Sequence, residues 1–164
     1  MTFSITGRCV ETGMFGVAIS TSSISVGSCC PHARAGVGAV ATQNITDPHL
    51  ARLVLDEMEA GYSAQEAISR ITENREFIDY RQLTAMDTAG IAAGGEAGPV
   101  HSAALIVSDK MPFYLVDLRI DWDEDDPVAK LRQHWQAYAP QMQDYLNRAI
   151  NPTAAPSYGV AGDP

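Results

Sequence analysis

Apolar and β-branched residues, spaced by polar or small ones, form six runs along the chain that predict β-strands. The first two runs span residues 2–10 and 14–21, and the short polar link between them ends in Gly13, which is typical of a hairpin. A third strand is predicted over residues 35–42, where large apolar residues stand two apart. Small residues lie between them, so we interpret the two glycines of this run as sites of close packing within a strand.

Over residues 48–73 the apolar residues recur instead every three to four positions, which predicts two consecutive helices. Asp47-Pro48 is a typical helix start, and Ser63 with Glu66 forms a capping box before the second helix. Further strands are predicted at residues 79–86, 102–108 and 113–120, the last two as a hairpin. One amphipathic helix is predicted after Asp126-Pro127. Because short links join most strands, the order favours an α+β fold with antiparallel sheets and helices on their outer faces.

A length of 164 residues, of which 46% are hydrophobic, is typical of one globular domain. We assign this domain to residues 1–150 and the proline-rich stretch 151–164 to a C-terminal tail. Residues 91–98 resemble the frayed end of a helix whose body is absent. We therefore predict a missing segment near residues 88–92, where the Cα atoms would lie farther apart than the usual spacing of about 3.8 Å. The alternative is a fold that has been shortened at this point.

The net charge of the chain excludes nucleic acid as a binding partner. Twenty acidic and eleven basic residues give a net charge of −9, so the chain cannot assemble the basic face that nucleic-acid binding needs. No apolar run is long enough to cross a membrane, and the N-terminus lacks the pattern of a signal peptide. These features predict a cytoplasmic protein with neither nucleic acid nor membrane as a partner.

The cysteines and histidines indicate neither disulfides nor a metal site. Three cysteines are an odd number, and we expect all of them to be reduced, with Cys30 as a packed thiol and not a nucleophile. The four histidines have no metal-type spacing with one another or with the cysteines. The acidic run 121–126 lacks the central glycine and the terminal glutamate of a calcium loop. We therefore predict no metal and no cofactor.

Thr2 is the most informative candidate for chemistry. It opens the first predicted strand, and removal of Met1 would leave a hydroxyl and a free α-amine on one residue. A threonine hydroxyl is a weak nucleophile at neutral pH, whereas an α-amine titrates at about pH 7.7–8.0 and can accept the hydroxyl proton. One residue would then supply both the nucleophile and the base.

Four stretches carry a family resemblance: Thr2-Phe3-Ser4-Ile5, residues 16–20, residues 33–43, and residues 117–121 ahead of Asp126-Pro127-Val128. Together they resemble the DUF1028 family of N-terminal nucleophile (Ntn) hydrolase-like proteins, and the run 33–43 is the most specific part. The resemblance implies a four-layer αββα sandwich of two antiparallel sheets. It also implies hydrolysis of a carbon–nitrogen bond in a small amide-like metabolite, with Thr2 attacking the carbonyl and amide groups holding the oxyanion.

Five residues are candidates for binding the substrate: Arg34, Gln43, Asn44, Arg119 and Asp121. Arg34 either anchors a substrate carboxylate or forms a structural ion pair. Gln43 and Asn44 either donate to a carbonyl oxygen or serve as turn residues that lead into the following helix. Arg119 and Asp121 stand two apart on one face of their strand, so they either bind the substrate or pair with each other.

The alternative function is that of a non-catalytic metabolite-binding or assembly protein that retains the fold. In either case we expect a homodimer or a higher homo-oligomer. The two functions differ at the N-terminus, because catalysis requires a free amine on Thr2 and the alternative does not.

Overall fold

The computed structural model describes residues 2–89 and 101–151, together with Thr153. Its elements are β1 (Thr2–Arg8), β2 (Phe15–Thr21), β3 (Pro31–Arg34), β4 (Gly38–Asn44), α1 (Pro48–Glu59), α2 (Ala64–Thr72), β5 (Arg81–Met86), β6 (Ser102–Ser108), β7 (Tyr114–Ile120), α3 (Pro127–Tyr138) and α4 (Met142–Ile150). Short 3-10 turns cover Val26–Ser28, Ile78–Tyr80 and Ala139–Gln141.

The strands form two antiparallel sheets. The larger sheet has four strands in the order β1-β2-β6-β7, and the smaller has three in the order β3-β4-β5. β1 is therefore one edge of the four-stranded sheet and β7 is the other. The first strand begins at Thr2, so Thr2 lies at a corner of this sheet.

The two sheets pack face to face through a core of unequal side chains. The larger sheet contributes bulky residues and the smaller sheet contributes mainly alanines. The members are Phe15, Val17 and Ile106 from the first sheet, and Ala33, Ala39, Ala41 and Met86 from the second. Burial of this set removes apolar surface from water and holds the inner faces of both sheets together.

Helices lie against the sheets. α1 and α2 bury their apolar sides, including Leu55 and Ala67, in a second core with Val40 of β4. α3 lies against β6 and β7 of the four-stranded sheet. The molecule is thus a mixed α+β protein with two antiparallel sheets and several helices.

The predicted local signals for helices and turns are confirmed. The Ser63 hydroxyl accepts from the backbone N–H of Glu66, whose carboxylate accepts from the Ser63 N–H, as a capping box requires. Asp47 and Asp126 cap α1 and α3, each followed by a proline. Gly13 has φ +77° in the β1–β2 link, a conformation that favours glycine.

The predicted strand over residues 35–42 is confirmed only from Gly38 onward, where β4 begins, and its first three residues form a turn. β3 ends at Arg34, and a turn closed by the N–H of Val37 on the carbonyl of Arg34 leads into β4. Gly36 has φ +71° in this turn, so it is a turn residue and not a strand residue. Gly38 does lie in the strand, where the predicted close packing is observed.

The C-terminal helical region also differs from the prediction of one helix. α3 ends at Tyr138, a short turn that includes Pro140 follows, and α4 begins at Met142. Proline has no backbone N–H to donate and its ring crowds the preceding turn, which explains why one helix does not continue through the region. At the start of the fifth strand, a 3-10 turn replaces the first predicted residues, and β5 begins at Arg81.

Three predictions concern residues that the structure does not describe. The window near residues 88–92 is described only as far as Ala89, and the tail 151–164 is described only at Asn151 and Thr153. Met1 also lies outside the described residues. No described helix is both long and apolar enough to span a membrane.

We predict that Gly38→Ala destabilises the fold. A Cβ at Gly38 would meet the backbone carbonyl of Met86 and the end of the Met58 side chain, and the backbone cannot move aside as a side chain can. The expected loss is about 1–3 kcal/mol in the free energy of unfolding, measured by urea titration. Gly7→Ala is the matched control, because a Cβ at Gly7 has no neighbour within 4 Å. Equal effects of the two substitutions would contradict this account of the packing.

Candidate functional site

The hydroxyl of Thr2 lies at the open end of the first strand pair. Thr2 is half-buried, and its backbone pairs with Thr21 of β2. The two hydroxyl oxygens are 2.7 Å apart, so they share a hydrogen bond. Thr21 is itself buried and its hydroxyl also accepts from the N–H of Ser23 at 3.4 Å. The Thr2 hydroxyl is therefore held in place while one side of the residue stays open to solvent.

A buried amide from the other sheet reaches the same face of β1. Ser4 lies two residues after Thr2, so both side chains project between the sheets. Gln43 of β4 is only 3% exposed, and its Nε2 donates to the Ser4 hydroxyl. The structure thus brings the predicted residues Thr2 and Gln43 to facing sides of the two sheets, with Gln43 at the level of Ser4, about 7 Å along β1 from Thr2.

A row of hydroxyls extends from Thr2 across the sheet. Thr21 pairs with both Thr2 and Ser102 in the register of β1, β2 and β6. The Ser102 hydroxyl donates to the carbonyl of Ser23 at 2.8 Å and accepts from the N–H of Val26 at 3.2 Å. Ser102 consequently fixes the loop that follows β2 beside Thr21.

The prediction from sequence missed Ser4, Thr21 and Ser102. Thr2, Ser4 and Thr6 alternate along the first strand, and this spacing already places three hydroxyls on one face of β1. The predicted hairpin already places Thr21, at the end of β2, opposite Thr2, whereas the pairing of Thr21 with Ser102 on β6 leaves no local signal.

The other amide candidate, Asn44, has a different setting. It ends β4 beside Gln43, yet its side chain is exposed and its φ is +65°. Asparagine tolerates this left-handed conformation better than most residues, so Asn44 acts as the turn residue that ends the strand. Of the two amides, only Gln43 projects between the sheets.

Arg34 lies away from Thr2. It ends β3 at the opposite end of the β3–β4 hairpin from Gln43. Its guanidinium donates to Asp56 at 2.7 Å and to Glu59 at 2.6 Å, both on α1. Burial lowers the pKa of Arg34 while the two carboxylates raise it, and the net direction is upward. The ion-pair alternative therefore describes what Arg34 does within the chain.

Arg119 and Asp121 do not form the ion pair predicted as their alternative role. Arg119 instead makes two parallel hydrogen bonds to Asp117, at 2.7 Å and 2.8 Å. These two residues lie two apart within β7, whereas Asp121 lies beyond the last residue of the strand. Alternation along β7 therefore places the side chain of Asp117 on the same face as Arg119. Asp121 lies outside the strand, and its side chain is exposed.

Asp123, in the acidic run, has a structural role. Its carboxylate is buried, accepts from the N–H groups of Asp125 and Asp126, and pairs with Lys130. The Lys130 hydrogen bond, with the two N–H donors, lowers the pKa of Asp123. Among the residues that the structure describes, no three metal-ligating side chains come together.

Cys30 has the properties of a packed thiol. It is 5% exposed in a cluster with Ile19, Val26 and Ala104. Burial raises the pKa of Cys30 to about 12, with the neighbouring Cys29 adding to the shift. Since the thiolate is the reactive form, Cys30 is unreactive at neutral pH.

Comparison with known proteins identifies a family and a similar fold. The model of a family of unknown function (DUF1028) matches residues 2–93 and 88–131. The crystal structure of protein SPO2555 from Silicibacter pomeroyi, described with the same family model, is similar over 88% of this chain and 89% of that chain. The TM-score is 0.79 and the sequence identity is 24%, so this likeness concerns the fold alone. None of the curated proteins matches the chain.

We predict that the cysteines react with iodoacetamide in a fixed order. Cys9 is exposed, and hydrogen bonds from Thr12 and from neighbouring backbone lower its pKa, so it should react first at pH 7.5. Cys30 should react only on unfolding, because it is buried and remains protonated. Mass spectrometry of peptides from timed samples measures the order. Modification of Cys30 as fast as Cys9 in the folded protein would contradict the buried setting.

Proposed function

The chain belongs to DUF1028, a family of unknown function, and from the geometry around Thr2 we propose that it is an N-terminal nucleophile amidohydrolase acting on a small amide-like metabolite. The observation that carries the proposal is the Thr2 hydroxyl, half-exposed at the start of an edge strand and hydrogen-bonded to Thr21. The face-to-face sheets, with α1 and α2 on one and α3 on the other, support a four-layer αββα sandwich of the Ntn type.

The proposed reaction needs the α-amine of Thr2 to be free, which requires removal of Met1. The amine accepts the proton of the Thr2 hydroxyl as its oxygen attacks the substrate carbonyl. When the tetrahedral intermediate collapses, the carbon–nitrogen bond breaks and the ammonium returns the proton to the leaving nitrogen. Water then hydrolyses the Thr2 ester, with the amine again as the base, to release the acid and restore the hydroxyl.

Thr21 and Gln43 are positioned to assist this chemistry. The 2.7 Å hydrogen bond between the hydroxyls limits the rotation of the Thr2 side chain and so orients its oxygen. A glutamine amide has two N–H donors, and Gln43 uses one of them on Ser4. We propose that the second donates to the oxyanion of the tetrahedral intermediate, where a preorganised donor has its greatest effect.

The other residues predicted to bind the substrate differ in the roles that we propose for them. Asn44 ends β4 at the same end of the sandwich, and we propose a peripheral contact with the substrate for it. Asp121 follows β7, and its role in binding stays a prediction. Arg34 and Arg119 are far from Thr2, so a role for them in substrate binding at Thr2 is not part of the proposal.

We predict that Thr2→Ala abolishes turnover in a screen of small amides and carbamoyl compounds. Loss of the nucleophile should lower kcat by on the order of 10³-fold or more, whereas Thr2→Ser should retain measurable activity. Thr6→Val is the matched control on the same strand face, because the buried Thr6 hydroxyl has no hydrogen-bond partner among the described residues. That control should retain the activity of the wild-type protein. All variants should keep the melting temperature within a few degrees of wild type, measured by circular dichroism.

Two outcomes would contradict the proposal. One is full activity in Thr2→Ala. The other is quantitative retention of Met1 in a protein purified from its own cells in active form, measured by intact mass. Either result would show that Thr2 is not the nucleophile, whereas a wild-type protein that turns over none of the compounds would favour the alternative, a metabolite-binding or assembly protein without catalysis.

A further inference from the structure

A second concave site lies on the opposite side of the molecule from β1. The four-stranded sheet extends one strand beyond the three-stranded sheet, so the inner face of β7 is not covered by a facing strand. A groove of about 340 Å³ forms there, between β7 and the edge strand β3. Its charged and polar lining consists of Arg34, Arg52, Arg119, His32, Tyr114 and Ser28. This volume is in the range of small-molecule sites.

The groove brings several arginines together in an acidic protein. The chain has only nine arginines and a net charge of −9, yet three of the nine line this groove. Arg52 is exposed on α1 and has no ion-pair partner among the described residues. Since Asp56, Glu59 and Asp117 pair with Arg34 and Arg119, the charge of Arg52 is the one left without an ion pair among the described residues that line the groove, and it favours an anionic ligand.

Carboxylates outside the groove hold two of these arginines in place. Asp56 and Glu59 bind Arg34, and Asp117 binds Arg119, but none of the three carboxylates lines the groove. The aliphatic part of the Arg119 side chain also packs closely over Gly27. A Cβ added at Gly27 would lie only 2.9 Å from the Cγ of Arg119. The guanidinium groups are therefore preorganised, which lowers the entropy that binding would cost.

His32 adds a hydrogen-bond acceptor to the groove. Its Nδ1 lies 3.4 Å from the carbonyl of Cys30, and a carbonyl only accepts, so Nδ1 carries the proton. Burial lowers the pKa of His32, and the positive charge of Arg52 lowers it further, so the ring is neutral at pH 7. The Nε2 atom is then an acceptor, which suits a hydroxyl or amine on the ligand.

We propose that this groove binds a small organic carboxylate that also carries a hydroxyl or amine group, with Arg52 and Arg119 on the carboxylate and His32 Nε2 on the donor. The volume limits the ligand to a compact metabolite, and the guanidinium groups favour the planar carboxylate.

This site is separate from Thr2 and does not rest on the proposed function. In the strand register of the larger sheet, Arg119 of β7 lies directly in line with Ser4 of β1. Strands β2 and β6 lie between them, so the two residues are three strand spacings, about 14 Å, apart. The buried side chains of Ile19 and Ala104 lie between these two residues on the same face of the sheet. A ligand in the groove therefore cannot reach the Thr2 hydroxyl.

The test is calorimetric titration of the full-length protein with malate, a dicarboxylate with one hydroxyl. We expect saturable 1:1 binding that weakens about ten-fold or more in Arg52→Gln and in Arg119→Gln, each of which removes a charge-assisted contact. Arg132→Gln is the control, since Arg132 is an exposed arginine of α3 outside the groove. It should bind malate as the wild-type protein does, and so should Thr2→Ala, which isolates this result from the proposed catalysis.

Three results would overturn the proposal. The first is the absence of saturable binding to wild type. The second is equal binding by wild type and Arg52→Gln, a variant whose fold is not at risk because Arg52 is exposed and unpaired within the described chain. The third is equal affinity for inorganic phosphate and malate, which would indicate a nonspecific anion groove. Weaker binding of succinate, which lacks the hydroxyl, would support the role of His32.

Discussion

The contact of bulky side chains on one sheet with alanines on the other fixes how closely the two sheets approach. Phe15 and Val17 extend from β2, and the short side chains of Ala39 and Ala41 on β4 leave room for them. This close approach lets Gln43, the next inward residue of β4, reach the Ser4 hydroxyl across the interface. The proposed active site thus depends on packing that involves none of its own residues.

Local structure was predictable where a single interaction determines it. Asp126 followed by a proline starts α3, and the capping box starts α2, because neighbours in sequence satisfy the first N–H groups of a helix. The β3–β4 turn was missed because residues 35–42 have the apolar spacing of a strand, while the turn is decided by the backbone conformation of Gly36. Apolar spacing does not report that conformation.

The candidate site was predictable only in part. Thr2 and Gln43 were identified by their chemistry, and the packing of the two sheets brings them to the same interface. The partners of Arg34 could not be identified, because the chain offers many carboxylates and only the packing of α1 selects among them. Asp117, the partner of Arg119, lies two residues away in β7, so alternation along the strand could have indicated it. The sequence therefore indicates which groups are reactive, whereas long-range contacts determine which groups meet.

The strand order has a consequence for synthesis of the protein in the cell. β2 lies between β1 and β6, and Thr21 pairs with Ser102, so the centre of the larger sheet cannot form until most of the chain has left the ribosome. At roughly 5–20 residues per second, the β1–β2 hairpin waits several seconds with its apolar face uncovered. During that time it is exposed to aggregation and to binding by chaperones. The yield of folded protein should therefore depend on the speed of translation between these two strands.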